Sequence, residues 1–225
     1  MGDAIGQVLA FAVAVALSPI PIIGVVLILT SPTGHANGLA FLAGSVFGIA
    51  ALGTIVLVAA GGGDASDSGQ PADWVSILKL VLGLLFLGLA LKQWRGRPRR
   101  GEEPELPSWM NAVDDFTPVR AAAIGAALSS INPKNLMLII GGAATIAQTG
   151  ASSGDQAIAL AVFTVIASLG VAIPVAIDLM MGERATEVLA GLRDWMARES
   201  AAIMVVICLL IGAKLIGDAI SGLSA

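Results

Sequence analysis

The sequence predicts an all-α integral membrane protein of six transmembrane helices, built as two inverted three-helix repeats in which helices 1 and 4 are broken. Three observations lead there. First, 56% of the 225 residues are hydrophobic and only 12% are charged, with a mean hydropathy of +0.90. Soluble domains carry about 25% charged residues, so too few remain here to coat a water-facing surface, and the solvent is lipid. Second, the apolar residues gather in six runs near bilayer length, at 4–30, 37–60, 74–93, 119–148, 156–180 and 200–221. Third, the first and fourth runs carry polar residues and proline at their centres, in matching contexts.

The first run would make a helix of about 40 Å, against a hydrocarbon core of about 30 Å. Ser18, Pro19 and Pro21 lie near its middle. Met1-Gly2-Asp3 supplies no basic residue ahead of it, so the run reads as a span and not as a signal peptide. His35, the single histidine, reads as a solvated loop residue, since a catalytic zinc site needs about three protein ligands. On the second run Ala40, Gly44 and Gly48 recur every fourth residue. Such a ridge suits close helix contact, within the chain or between two copies. Lys79 in the third run and Lys214 in the sixth are expected to snorkel outward.

The fourth run breaks at Pro133, the fifth carries Pro174 and Asp178, and the sixth holds the single cysteine, Cys208. One cysteine makes no intramolecular disulfide. The chain has no G-x-S-x-G and no glycine loop ahead of a Lys-Ser or Lys-Thr pair, so neither an enzyme nor a cofactor is expected. The small net charge of −4 gives no footprint for nucleic acid.

Between the runs, "GGGDASDSGQPAD" (61–73), "RGRPRRGEEPELP" (95–107) and "QTGASSGD" (148–155) read as loops. Six spans put Arg95, Arg97, Arg99, Arg100, Arg120, Arg184, Arg193 and Arg198 on one side. The other side has Asp3, Asp64, Asp67, Asp73 and Asp155, with no lysine or arginine in its loops. The arginine side is then cytoplasmic, and both termini of this multi-pass inner (plasma) membrane protein face outward. In "EVLAGLRDWM" (187–196), Val188, Leu189, Leu192, Trp195 and Met196 recur at helical spacing. This predicts a short cytoplasmic helix at the headgroup level, acting as anchor or gate. "SWMNAVDDF" (108–116) looks similar, its Trp109-Met110 echoing Trp195-Met196.

"ALSPIPIIGVVLIL" (16–29) and "ALSSINPKNLMLII" (127–140) share Ala-Leu-Ser, an isoleucine three residues after the leucine, and a proline break. "LGLLFLGLAL" (82–91) resembles "VICLLIGAKL" (206–215). The chain therefore divides into a first three-helix repeat (1–94), a charged cytoplasmic linker (95–118) and a second repeat (119–225). Three spans per repeat invert the second, the arrangement of many secondary transporters, whose sites lie where the repeats meet.

Proline inside a helix frees backbone polar groups, which are tolerated at membrane depth only against protein or water. Pro133 suits the first position of a new half-helix, with Asn132 as its N-cap. The start of that half-helix favours an anion, and Lys134 adds a full positive charge. A lysine at mid-membrane costs about 2.5–3.5 kcal/mol on insertion scales; it either completes an anion site or ties off carbonyls of the broken helix. Ser18 faces it from the first repeat. The candidate substrate site is Ser18, Pro19, Pro21, Ser129, Asn132, Pro133, Lys134 and Asn135. Asp178 is either a counter-ion or proton carrier for Lys134, or an interfacial charge. No carboxylates stand at the breaks to hold a metal ion.

These segments, "ALSPIPIIGVVLILTSPTGHANGLAFLAGSVFGIA" and "ALSSINPKNLMLIIGGA", resemble the signature regions of the GAP family of the lysine-exporter (LysE) superfamily. Named members of that family are sulfolipid- and glycopeptidolipid-addressing proteins. The resemblance covers nearly the whole chain. It implies a LysE-like fold and a role in exporting anionic or amphiphilic envelope glycolipid precursors by alternating access. It also implies a large lipid exporter as partner, and a homodimer. A non-transporting scaffold for such an exporter, or an exporter of small, amino-acid-like solutes, are the alternatives.

The sidedness is open to a direct test. With Cys208→Ala as background, Ser68→Cys and Gly101→Cys are expected to react with an impermeant thiol reagent from opposite faces of the membrane. Reaction of both from outside would rule out the odd number of spans per repeat.

Overall fold

The computed structural model describes residues 2–61, 73–96 and 116–223. Ser68, Gly101, Asp64, Asp67, Arg97, Arg99, Arg100 and the Trp109-Met110 segment lie outside the described residues. Within them the chain is helical throughout: α1 (Gly2–Ala16), α2 (Pro19–Leu29), α3 (Gly34–Gly61), α4 (Asp73–Arg95), α5 (Pro118–Ala126), α6 (Pro133–Ala147), α7 (Ser153–Met181) and α8 (Ala185–Leu223). A π-helical turn, Ala127–Ile131, leads from α5 to the break before α6, and a 3-10 turn, Gly182–Arg184, joins α7 to α8. Helices α3, α4, α7 and α8 are each long and apolar enough to cross a membrane. The pairs α1–α2 and α5–α6 pass the same test as bent pairs, at 50° and 65°. This is a multi-pass membrane protein with four spans, or six if each bent pair is one span.

Proline sets both bends. Pro19 and Pro133 each take the first turn of the helix that follows, where a missing N–H breaks no bond and the ring's φ is already helical. The residue before each proline is driven to extended backbone, and Ser18 and Asn132 have ψ of 114° and 127°. The preceding helix cannot continue through such a residue.

Without a hydrophobic drive between helices in lipid, close approach of backbones supplies the packing. Gly44 sits on the backbone of Ala122, Gly48 on that of Ala126, and Gly125 on that of Phe41. Ser45 locks the same seam, its hydroxyl donating to the carbonyls of Phe41 (2.9 Å) and Gly125 (3.2 Å). Gly170 of α7 meets the carbonyl of Ala16 in the same way. Gly83 and Gly212 bring α4 against α8, running antiparallel, with Ser76 beside Gly222. The Gly44–Gly48 ridge is thus spent inside the chain, on α5, and offers no face to a second copy. Phe11, Phe86, Leu138, Phe163 and Leu215 fill the main core between α1, α4, α6, α7 and α8.

The segment 187–196 departs from the expected separate helix at the headgroups. It is the first part of α8, continuous with the last span. No proline interrupts residues 185–223, so nothing stops the helix, which at 39 residues is about 58 Å long. Leu189 packs with Val25, Leu29 and Val175, and Met196 with Ile22 and Ile23. Its apolar stripe therefore faces α2 and α7, while Val188 and Trp195 stay exposed. Lys79 is buried rather than snorkelled and shares the field of Asp218 and Lys214. Lys214 pairs with Asp218 at 2.6 Å and lies 5.3 Å from the Phe11 ring centroid.

The packing role of the ridge predicts a sharp contrast. Gly44→Ala is expected to lower thermal stability in detergent by the overpacking cost of about 1–3 kcal/mol. Gly88→Ala, on α4 with open space around it, leaves the melting temperature unchanged or raised. Equal melting temperatures for the two would show that the α3–α5 seam is not close-packed.

Candidate functional site

The two breaks meet at the centre of the bundle. Ser18 follows the end of α1, and its backbone turns into α2, but its hydroxyl does not cap that helix; it donates to Oδ1 of Asn135 at 2.5 Å. The Asn135 amide in turn donates to the carbonyls of Ser129 (3.2 Å) and Leu128 (3.5 Å). Those carbonyls belong to the π-helical turn, where the break at Pro133 leaves acceptors without a helical donor. One side chain, 1% exposed, thereby ties break to break and satisfies the backbone of the second. Asn132 caps α6, its Oδ1 accepting from the Lys134 N–H at 3.3 Å.

Lys134 is next to this network and outside it. Its side chain is 2% exposed, and Nζ has no hydrogen-bond partner. Lys134 does not tie off the broken-helix carbonyls: its Nζ reaches none, and Asn135 takes those of Ser129 and Leu128. The ionisable group that shares its field is the Cys208 thiol of α8, itself fully buried. Ser129 Oγ is a second buried polar atom without a partner. It borders a closed cavity of about 10 Å³ lined by Ser18, Pro21, Ser129, Asn135 and Ser168, room for about one water molecule.

Of the residues expected at the site, Ser18, Pro19, Pro21, Ser129, Lys134 and Asn135 are buried around the breaks. Asn132 is half-buried and Pro133 is exposed, so these two shape the site from behind. Ser18 faces Asn135 and not Lys134. Asp178 does not pair with Lys134, whose Nζ has no hydrogen-bond partner; its Oδ2 lies 2.6 Å from Nδ1 of His35. His35 accordingly is no free loop residue but the second residue of α3, held to α7. Ser168 was not anticipated. Its only sequence signal was a hydroxyl in an apolar run, and its Oγ donates back to Thr164 O at 2.8 Å, as hydroxyls in membrane helices commonly do.

Two open cavities flank the closed centre. One, of about 840 Å³, lies between α3 and α7 and is lined by Ala50, Thr54, Leu57, Val58, Gln156, Leu160 and Thr164. Thr164 is one turn from Ser168. The second, of about 680 Å³, lies between the α2–α3 turn and the α7–α8 junction, with Asp178 in its wall. Val58 and Val165 in the lining of the first are exposed on the surface of the bundle.

The central clamp has a measurable signature. Asn135→Leu removes the acceptor for Ser18 and the donor for two buried carbonyls, each orphan costing about 1–3 kcal/mol. Ser18→Ala removes one partner and leaves Asn135 its amide bonds. A large drop in melting temperature is expected for the first and a smaller one for the second. The reverse order would mean that Asn135 does not carry the junction.

From α1 to the end of α8 this chain matches one known family. The model of Sap, the sulfolipid-1-addressing protein, covers residues 8–221, and the chain belongs to that family. No curated protein and no solved structure matches it.

Proposed function

We propose that this member of the sulfolipid-1-addressing protein family is a carrier that moves an anionic or amphiphilic envelope lipid precursor outward by alternating access, its charged part passing the break at Lys134. One observation carries the reading: a buried lysine at the bundle centre whose Nζ has no partner of its own. An unpaired buried cation is among the most costly groups in a protein interior, and a visiting phosphate, sulfate or carboxylate removes that cost. The N-terminus of α6 adds its own partial positive charge.

The architecture agrees with six spans in two inverted repeats, residues 1–94 and 119–225, joined by the linker 95–118. Exchanging α1 with α5 and α3 with α7 carries the packing of α3 on α5 onto that of α7 on α1. The α3–α5 seam at Gly48 and Ala126 has its counterpart in the α7–α1 seam at Gly170 and Ala16, and α4 pairs with α8 across the implied axis. The closed centre between two open cavities supports alternating access, and the exposure of Val58 and Val165 beside the first cavity suits a cargo whose tail stays in lipid. The arginine asymmetry supports a cytoplasmic linker and both termini outside. The resemblance to the lysine exporters supports transport over catalysis, and a large lipid exporter as partner.

Lys134→Met keeps length and apolar bulk and removes the charge. It is expected to abolish export while the protein's abundance and membrane insertion stay at or above those of the unaltered chain. Lys134→Arg retains activity only if charge matters more than a compact ammonium. The measurement is intracellular accumulation of the precursor in cells whose only copy carries each change. Normal export by Lys134→Met would refute the anion site and favour a scaffold that moves nothing itself.

A further inference from the structure

The cavity of about 840 Å³ between α3 and α7 is a slot with a closed floor. Its floor is the contact of the two helices, where the Leu160 side chain lies directly on Gly53. Small side chains make the space above, Ala50 and Thr54 from α3 and Ala157 and Ala161 from α7. The walls ask for no water. Thr54 and Thr164 donate their hydroxyls to the carbonyls of Ala50 and Leu160, both at 2.8 Å, and among the described residues no ionisable side chain lines the slot. From Ser153 to Val165 the rise of α7 is about 18 Å, close to half of a hydrocarbon core of about 30 Å. The slot therefore runs through the depth of one leaflet. An acyl chain is narrow enough to enter it, whereas a helix, about 10–12 Å across, rests on two touching helices without going between them.

Polar groups gather at one end of the slot, on the first turn of α7, where Ser153 and Gln156 line it. The Gln156 amide donates to the Ala151 carbonyl at 3.0 Å, which leaves its Oε1 as an acceptor. The exposed Ser153 hydroxyl supplies a donor. Asp155 stands between them in the chain and is half-buried, so the charge beside the rim is negative. We propose that the slot is a lipid site for an uncharged glyceride, one acyl chain lying along α3 and α7, its ester carbonyl accepting from Ser153 and its free hydroxyl donating to Gln156. A chain gains little by leaving lipid tails for protein that is equally apolar, so the rim does the selecting. With an acceptor and a hydroxyl but no cation, it holds a hydroxy-ester and turns away phosphate, sulfate and carboxylate heads. The site goes beyond the transport reading: its chemistry is opposite to that of the break at Lys134, and it is filled whatever passes there.

The test uses the full-length protein in phosphatidylcholine vesicles and two photoreactive probes with the same diazirine-bearing chain, a monoacylglycerol and a lysophosphatidylglycerol. Labelled peptides are mapped by mass spectrometry. The monoacylglycerol is expected to label the slot faces of α3 and α7 saturably, and the anionic probe about tenfold less, the size of one or two lost head hydrogen bonds. Ala161→Phe and Ala157→Phe, both at exposed positions, fill the slot at two depths; each removes the saturable labelling and leaves the melting temperature unchanged. Gln156→Leu keeps the chain in place and brings the two probes to equal labelling. Lys134→Met changes none of this, so the slot and the anion site stand or fall separately. Labelling spread over the outer helices without saturation, labelling that survives both phenylalanine changes, or equal labelling by the two probes with the rim intact overturns the glyceride site.

Discussion

Everything at the centre of this molecule follows from the rule that backbone polar groups in lipid find partners within the protein. Proline breaks two spans and frees carbonyls at both levels. Asn135 answers for the second break with its amide and reaches the first through Ser18. A side chain with one acceptor and two donors is the smallest group able to do both. The junction of the two halves is therefore a hydrogen-bonded contact rather than an oily one, and the helices around it are held by glycine seams that tolerate no added methyl.

That division of labour explains the lysine. Lys134 and Asn135 are adjacent, and either could have served the broken helix. Because the asparagine does so, the ammonium is released from structural duty yet stays buried at a helix start. The same geometry keeps the centre closed, with space for about one water, while cavities of about 840 and 680 Å³ lie beyond it on either side. Under the proposed carrier reading, joining the two cavities takes a relative movement of α2 and α6 against α3 and α7. The breaks at Pro19 and Pro133 are where the spans lack continuous helical hydrogen bonds, so they are the places where such movement costs least.

Much of this was legible in the residues. Both breaks, the cap at Asn132 and the burial of Lys134 could be read because proline's missing donor and fixed φ act wherever the chain goes. The burial of the glycine ridge was legible too, but its occupant was not: Gly44 and Gly48 fit α5 or a second copy equally well by composition. The extent of α8 was misjudged because an amphipathic stripe looks alike whether it faces headgroups or the flank of α2. Residues such as Ser168 give no signal beyond being polar in an apolar run.

By itself, the sequence determined the class of solvent, the apolar runs and the places where the first and fourth of them break. Each of these depends on local covalent chemistry or on summed composition. Only the tertiary structure decided which buried polar groups meet. Asn135 and Ser18 are joined across 117 residues, and His35 and Asp178 stand at opposite ends of different runs. Such pairings depend on how helices rotate and register against one another, and in lipid that is set by backbone contacts at glycine and by the need to satisfy stray carbonyls, neither of which leaves a periodic mark in the chain.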